Sequence, residues 1–144
     1  MAENKLLGPG DLRAVTNEAE MAKAKLLLER KNRLKTEQDE LREAFMSRDI
    51  HPQVMDRVNN AVRRAAEDGH TELMIITFPA TYCNDNGRRI NNLEADWPVS
   101  LEGFAKKAYE FYASQLRPLD YKIRAQILDY PGGMPGDVGI FLSW

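Results

Sequence analysis

Between Asp11 and Met46 the chain runs for 36 residues without a glycine or proline. Those two residue types are the strongest interrupters of local structure, so their absence over such a length leaves one regular solution, a long helix. At 1.5 Å of rise per residue it reaches about 54 Å. The segment is heavily charged, and its apolar residues are few but ordered. On a helical wheel Leu12, Val15, Ala19, Ala22, Leu26, Leu27, Leu34, Leu41 and Phe45 fall within an arc of about 140°. That stripe is wide enough to pack on something and too narrow for burial all round.

Leu27, Leu34 and Leu41 recur every seven residues, the spacing of a helix–helix seam. Lys31 and Gln38 occupy the alternate seam positions, so a strict coiled coil sustained over several heptads is not expected. Asp11 reads as the N-cap and Glu29 with Arg33 as a favourable pair one turn apart. Residues 1–10, ending in Gly8-Pro9-Gly10, read as a lead-in.

A turn over Ser47–His51 precedes Pro52, which suits the first position of a second helix. Met55, Val58, Val62 and Ala65 follow with helical spacing, and Gly69 is placed to end that helix in the left-handed conformation. A short connection predicts a helical hairpin over residues 11–68 whose longer member overhangs the shorter. Residues 69–144 then read as a small sheet-plus-helix domain. Glu72–Phe78 is a short apolar run, expected as a strand covered on both faces. Asn84-Asp85-Asn86-Gly87 is a turn signal, after which Arg88–Leu93 is expected to return as a polar edge strand. A helix follows, with Leu101, Phe104, Ala105, Ala108, Phe111, Tyr112 and Leu116 on one face. Tyr121, Ile123, Ala125 and Ile127 alternate with polar residues, the pattern of a half-solvated strand. Pro131–Gly136 is a loop and Val138–Trp144 a last strand antiparallel to the one before. The class is α+β, in the order α-α-β-(β)-α-β-β, with a three- to four-stranded, mostly antiparallel sheet.

The apolar fraction is 43% and the charged fraction 29%, which suits a folded domain rather than a disordered chain. Residues 1–68 carry 13 basic and 13 acidic side chains and residues 69–144 carry 7 and 9, so neither half has the basic excess that grips phosphate backbones. Nucleic-acid binding is disfavoured, although Lys23, Lys25, Arg30, Lys31, Arg33 and Lys35 put basic residues on the long helix among its acids. No run of about 18 apolar residues is present and the first residues lack a signal-peptide pattern, so a cytoplasmic protein without a membrane anchor is expected. The single cysteine, Cys83, precludes an internal disulfide.

No constellation of catalytic residues emerges. Cys83 has no histidine near it in sequence, and activation of a thiol needs a base or a positive field. Two isolated histidines, His51 and His70, do not make a zinc site. Reading Asn84–Gly87 as a calcium loop puts Tyr82 and Leu93 where carboxylates are required. Gly132–Gly136 lacks the lysine and the following helix of a phosphate loop. No cofactor or metal is expected.

What remains is an interaction module, with Leu27, Leu34, Leu41 and Phe45 as anchors along the first helix. Its expected partner is a second copy or another protein's helix, and Met134 at a loop tip is a further contact. A second expectation is a ligand-binding or enzymatic domain using loop 80–97. There Tyr82 supplies a ring and Arg88 and Arg89 supply forks for an anion.

Overall fold

The computed structural model describes residues 5–144. The first four residues of the lead-in lie outside the described residues. The chain divides into two compact units, Met1–Leu41 and Arg42–Trp144.

Helix α1 spans Pro9–Ser47. It begins two residues before the expected cap because proline is well suited to the first helical position. Asp11 acts from inside the first turn instead, its Oδ2 accepting the Gly8 N–H at 3.1 Å, the reaching-back half of a capping box. No residue of α1 is buried.

In the second unit, α2 (Val54–Glu67) ends as the sequence predicts. Gly69 takes φ +85°. The Gly69 N–H donates to the Ala66 carbonyl at 3.0 Å and the His70 N–H to the Ala65 carbonyl at 2.9 Å, the paired bonds of a Schellman motif. At the other end, His51 Nδ1 accepts the Gln53 N–H at 3.0 Å.

The sheet has three strands, β1 (Glu72–Pro79), β2 (Lys122–Ile127) and β3 (Asp137–Ser143), in the order β1-β3-β2. Both pairings are antiparallel, with Phe78 opposite Val138 on one side and Ile127 opposite Val138 on the other. The last strand is therefore the central one, and it carries the covering expected of β1. Val138, Ile140 and Leu142 are fully buried. Gly139 on the opposite face lies under Leu128 and Met74. β1 is an edge strand, bulged between Met74 and Ile76, so Met74 stays 45% exposed despite the apolar run. β2 keeps the predicted alternation, with Ile127 buried and Lys122, Arg124 and Gln126 exposed.

The optional fourth strand does not form. Arg88–Asn91 is instead a single helical turn, α3. Asn86 and Gly87 do adopt positive φ, at 57° and 85°, but they lead into a helix start rather than a hairpin. The cause is Asp85, whose carboxylate accepts the Gly87 and Arg89 N–H groups at 3.0 Å each and so satisfies donors a ladder would otherwise take.

Helix α4 (Gly103–Phe111) continues into a π turn over Tyr112–Leu116. Ala105 of α4 and Tyr112 and Leu116 of the wider turn are buried, and Leu101, in extended conformation just before α4, is buried beside Ala105. One core cluster joins Phe78, Ile90, Leu101, Ala105 and Ile140; a second joins Tyr112, Leu116 and Leu142, with Val58 and Val62 of α2 packed on it.

Candidate functional site

Loop 80–97 is a closed polar structure. Arg89 Nη1 lies 3.2 Å from Asp85 Oδ2 and its Nε 3.2 Å from Asp96 Oδ2. Arg88 lies 3.6 Å from a Glu94 carboxylate oxygen. Both guanidinium groups thus face carboxylates of their own loop, which compete with any incoming anion. The carboxylates hold Arg89 more firmly protonated than usual, through the Asp96 hydrogen bond first and then that to Asp85. Tyr82 is drawn the other way. Its ring packs 5.0 Å from Phe45, on the edge of the first core cluster. The expected anion site therefore has its arginines committed to acids and its ring committed to the core.

Cys83 is 3% exposed. Burial pushes its thiol up to about 11; a Ser100 hydrogen bond opposes this, while the negative charges of Asp85 and Glu102 add to it. A thiol so held is protonated at neutral pH and is no nucleophile. Among the described residues no group of three or more histidine, cysteine or carboxylate side chains is placed to hold a metal ion.

One feature that sequence reasoning missed is an apolar cavity of about 320 Å³ in the second unit. Val58 of α2, Ile75 of β1 and Phe104, Phe111 and Leu116 of the last helix contribute to it. Arg48 is the single charged side chain in its lining, and its guanidinium lies 4.1 Å above the Phe104 ring. No carboxylate or histidine lines it, so it offers apolar contact and no acid–base pair. Its walls are distant in sequence, which is why no local pattern announced it.

The predicted anchors of the first helix separate into two groups. Leu27, Leu34 and Leu41 are 64%, 53% and 66% exposed. Leu26 and Leu28 beside them are also exposed; the Leu26-Leu27-Leu28 triplet was the available sign that the apolar surface widens there. Leu27 and Leu34 line a shallow trough with Arg30, Lys31, Lys35 and Gln38. Phe45 does not belong with these leucines. Its ring centroid lies 5.3 Å from that of Phe78 and 6.0 Å from that of Phe104, inside the second unit. The wheel placed it on the stripe correctly but had no means of telling that its own chain covers it. Met134 stands 68% exposed in the loop between β2 and β3, where the sequence puts it.

The α+β fold with its long helix is thus defined, and on α1 it leaves Leu27, Leu34 and Leu41 open among charged side chains. Compared with known proteins, the chain matches no family model, no curated protein and no solved structure. Among the described residues no helix is long and apolar enough to cross a membrane.

Proposed function

We propose that the protein is a non-enzymatic interaction module that self-associates through the leucine stripe of α1. The observation that supports this reading is the exposure of Leu27, Leu34 and Leu41, each more than half open to solvent on one seven-residue repeat. Exposed apolar residues scattered singly need no explanation, whereas a periodic row of them fits a helix partner. A second copy supplies the same row, and a two-fold dimer is the commonest closed arrangement.

The energetics set the strength. Burying a leucine side chain contributes about 1.5–3 kcal/mol. Three leucines from each chain, already a third to a half covered, therefore contribute a gain of the same order as the association cost of about 4–15 kcal/mol. The dimer is of modest affinity, and its mass is to be measured from micromolar concentrations upward. Met134 offers a separate contact for a different protein. A cytoplasmic setting belongs to this reading and is supported by the unpaired thiol of Cys83.

Sedimentation equilibrium tests it. The wild-type chain is expected at twice 16.4 kDa at high concentration, and Leu34→Asp at 16.4 kDa with the same circular dichroism. An unchanged mass for Leu34→Asp, or a wild-type monomer throughout, overturns the reading.

A further inference from the structure

Resting on that reading, we infer that two copies of α1 pair antiparallel, with Lys31 of each chain opposite Leu34 of the other. The inference comes from where α1 places its charges around the seam. Leu27, Leu34 and Leu41 form one seam row, and Ala24, Lys31 and Gln38 form the alternate row three residues earlier. Lys23, Arg30 and Glu37 flank the seam on one side, and Leu28, Lys35 and Arg42 flank it on the other.

Parallel, in-register pairing sets each row against itself. Lys31 then meets Lys31 and Gln38 meets Gln38 at the centre, and each Arg30 flanks Lys35 of the other chain. Two ammonium groups in the seam oppose this arrangement, and its two like-charged flanking pairs offset the two favourable ones that it makes between Glu37 and Arg42 of the other chain.

Antiparallel pairing sets one row against the other. Centred between Asn32 and Arg33, it layers Lys31 on Leu34, Gln38 on Leu27 and Ala24 on Leu41, each twice. The lysine's aliphatic stem covers the leucine while its ammonium reaches solvent. On the flanks Arg30 meets Glu37 of the other chain, twice, and Leu28 meets the stem of Lys35. No like charges face each other across these positions. Sliding one heptad in one direction brings Arg30 against its own copy while Glu37 meets Lys23, and sliding in the other sets Glu37 and Lys35 against their own copies, so only the central register is free of a like-charged pair. The charge pattern selects both direction and register.

Two measurements on the full chain test this. The first reverses a charge. Arg30→Glu puts two acids against Glu37 in the antiparallel dimer and raises its dissociation constant by about three- to tenfold. In a parallel dimer the same change sets a carboxylate beside Lys35 of the other chain and tightens it. The Arg30→Glu/Glu37→Arg double variant recovers the affinity lost by the single variant in the antiparallel case, whereas in a parallel dimer, where Glu37 flanks Arg42, it undoes the single variant's tightening.

The second measures distance. Spin labels at Ala22→Cys and Glu43→Cys sit away from the row of Leu27, Leu34 and Leu41 that forms the seam, with buried Cys83 left in place and unsubstituted protein as the labelling control. Antiparallel pairing offsets like labels by about 32 Å along the axis and brings unlike labels side by side. Parallel pairing gives the reverse order. A dimer tightened by Arg30→Glu, or with like labels closer than unlike ones, overturns the inference while leaving self-association standing. A chain that stays monomeric overturns both.

Discussion

Asp85 holds Arg89 at two points, its Oδ2 accepting the backbone N–H at 3.0 Å and the guanidinium at 3.2 Å. One carboxylate thereby starts α3 and occupies an arginine that sequence reading assigned to a ligand. Burial pushes the Asp85 carboxyl up, but the N–H groups of Arg89 and Gly87 and the Arg89 side chain together outweigh it, and the group titrates below the ordinary carboxylate range.

Asp85→Asn is expected to destabilise the protein by about 1–2 kcal/mol at pH 7, the range for a hydrogen bond to a charged group. The sign of the pH dependence follows from the depressed folded value. The ionised form's contribution is whole above about pH 4 and is lost as pH falls through the folded value. Urea unfolding of wild type and variant is expected to converge as the pH falls through the depressed folded value of Asp85. A gap that is constant with pH would show that the carboxylate's charge contributes nothing.

Glu72 and Arg124 join the two edge strands across β3, with Nε–Oε2 at 2.7 Å and Nη2–Oε1 at 2.5 Å, and the guanidinium lies 4.1 Å above the Phe141 ring. The Arg124 hydrogen bond and charge hold Glu72 below its usual value against the opposing effect of desolvation. The pair's stabilisation is present above about pH 4.3 and fades as acid protonates Glu72. Arg124→Lys keeps the charge but loses the fork and the stacking, so it is expected to lie between wild type and Arg124→Ala in melting temperature. Equal melting temperatures for Arg124→Lys and wild type would remove the bidentate geometry from the account.

Gly103 has φ +57°, and a Cβ there would sit 2.6 Å from Met46 Cα, where the end of α1 meets the start of α4. Backbone cannot yield as a side-chain tip can. Gly103→Ala is expected to cost more than about 2 kcal/mol, combining left-handed strain with overpacking. Gly132 provides the control, with φ +62° and open space around it. Gly132→Ala is expected to cost about 1 kcal/mol, from strain alone. Chemical denaturation of the two variants separates the terms, and equal losses would mean that the Met46 approach relaxes freely.

Where one pattern determines one structure, the sequence was sufficient. Gly69 after an apolar helical run leaves few alternatives to a left-handed cap, and the alternation through Ile123, Ala125 and Ile127 has one strand reading. Loop 84–91 was different, because Asn86-Gly87 is compatible with a hairpin or a helix start. The choice lies with Asp85 reaching forward to two N–H groups, a side-chain geometry that no periodicity encodes. Strand order was also unreadable: β1 and β3 are both apolar runs, and only the pairing puts β3 in the centre. At the site, the leucine row was legible from its spacing. Phe45 lies on the same arc, and its capture by Phe78 and Tyr82 depends on contacts 33 or more positions away in the chain.

Cys83 distinguishes a buried structural thiol from a displayed nucleophile. With its pKa pushed up to about 11, about one thiol in a thousand is ionised at pH 8. An unperturbed thiol, titrating near 8.5, is about one-quarter ionised there. Iodoacetamide, followed by mass spectrometry of the intact chain, is therefore expected to modify the folded protein at least about tenfold more slowly than the urea-unfolded one, the smaller thiolate fraction outweighing the greater nucleophilicity of a high-pKa thiolate. Burial of the sulfur slows it further, because the reagent must also reach an atom 3% exposed as a residue. The rate is expected to climb about tenfold per pH unit between 8 and 10, since only the thiolate reacts. Single alkylation of folded protein as fast as of unfolded protein would place the sulfur at the surface with an ordinary or lowered pKa, and the catalytic reading of Cys83 would then have to be reopened.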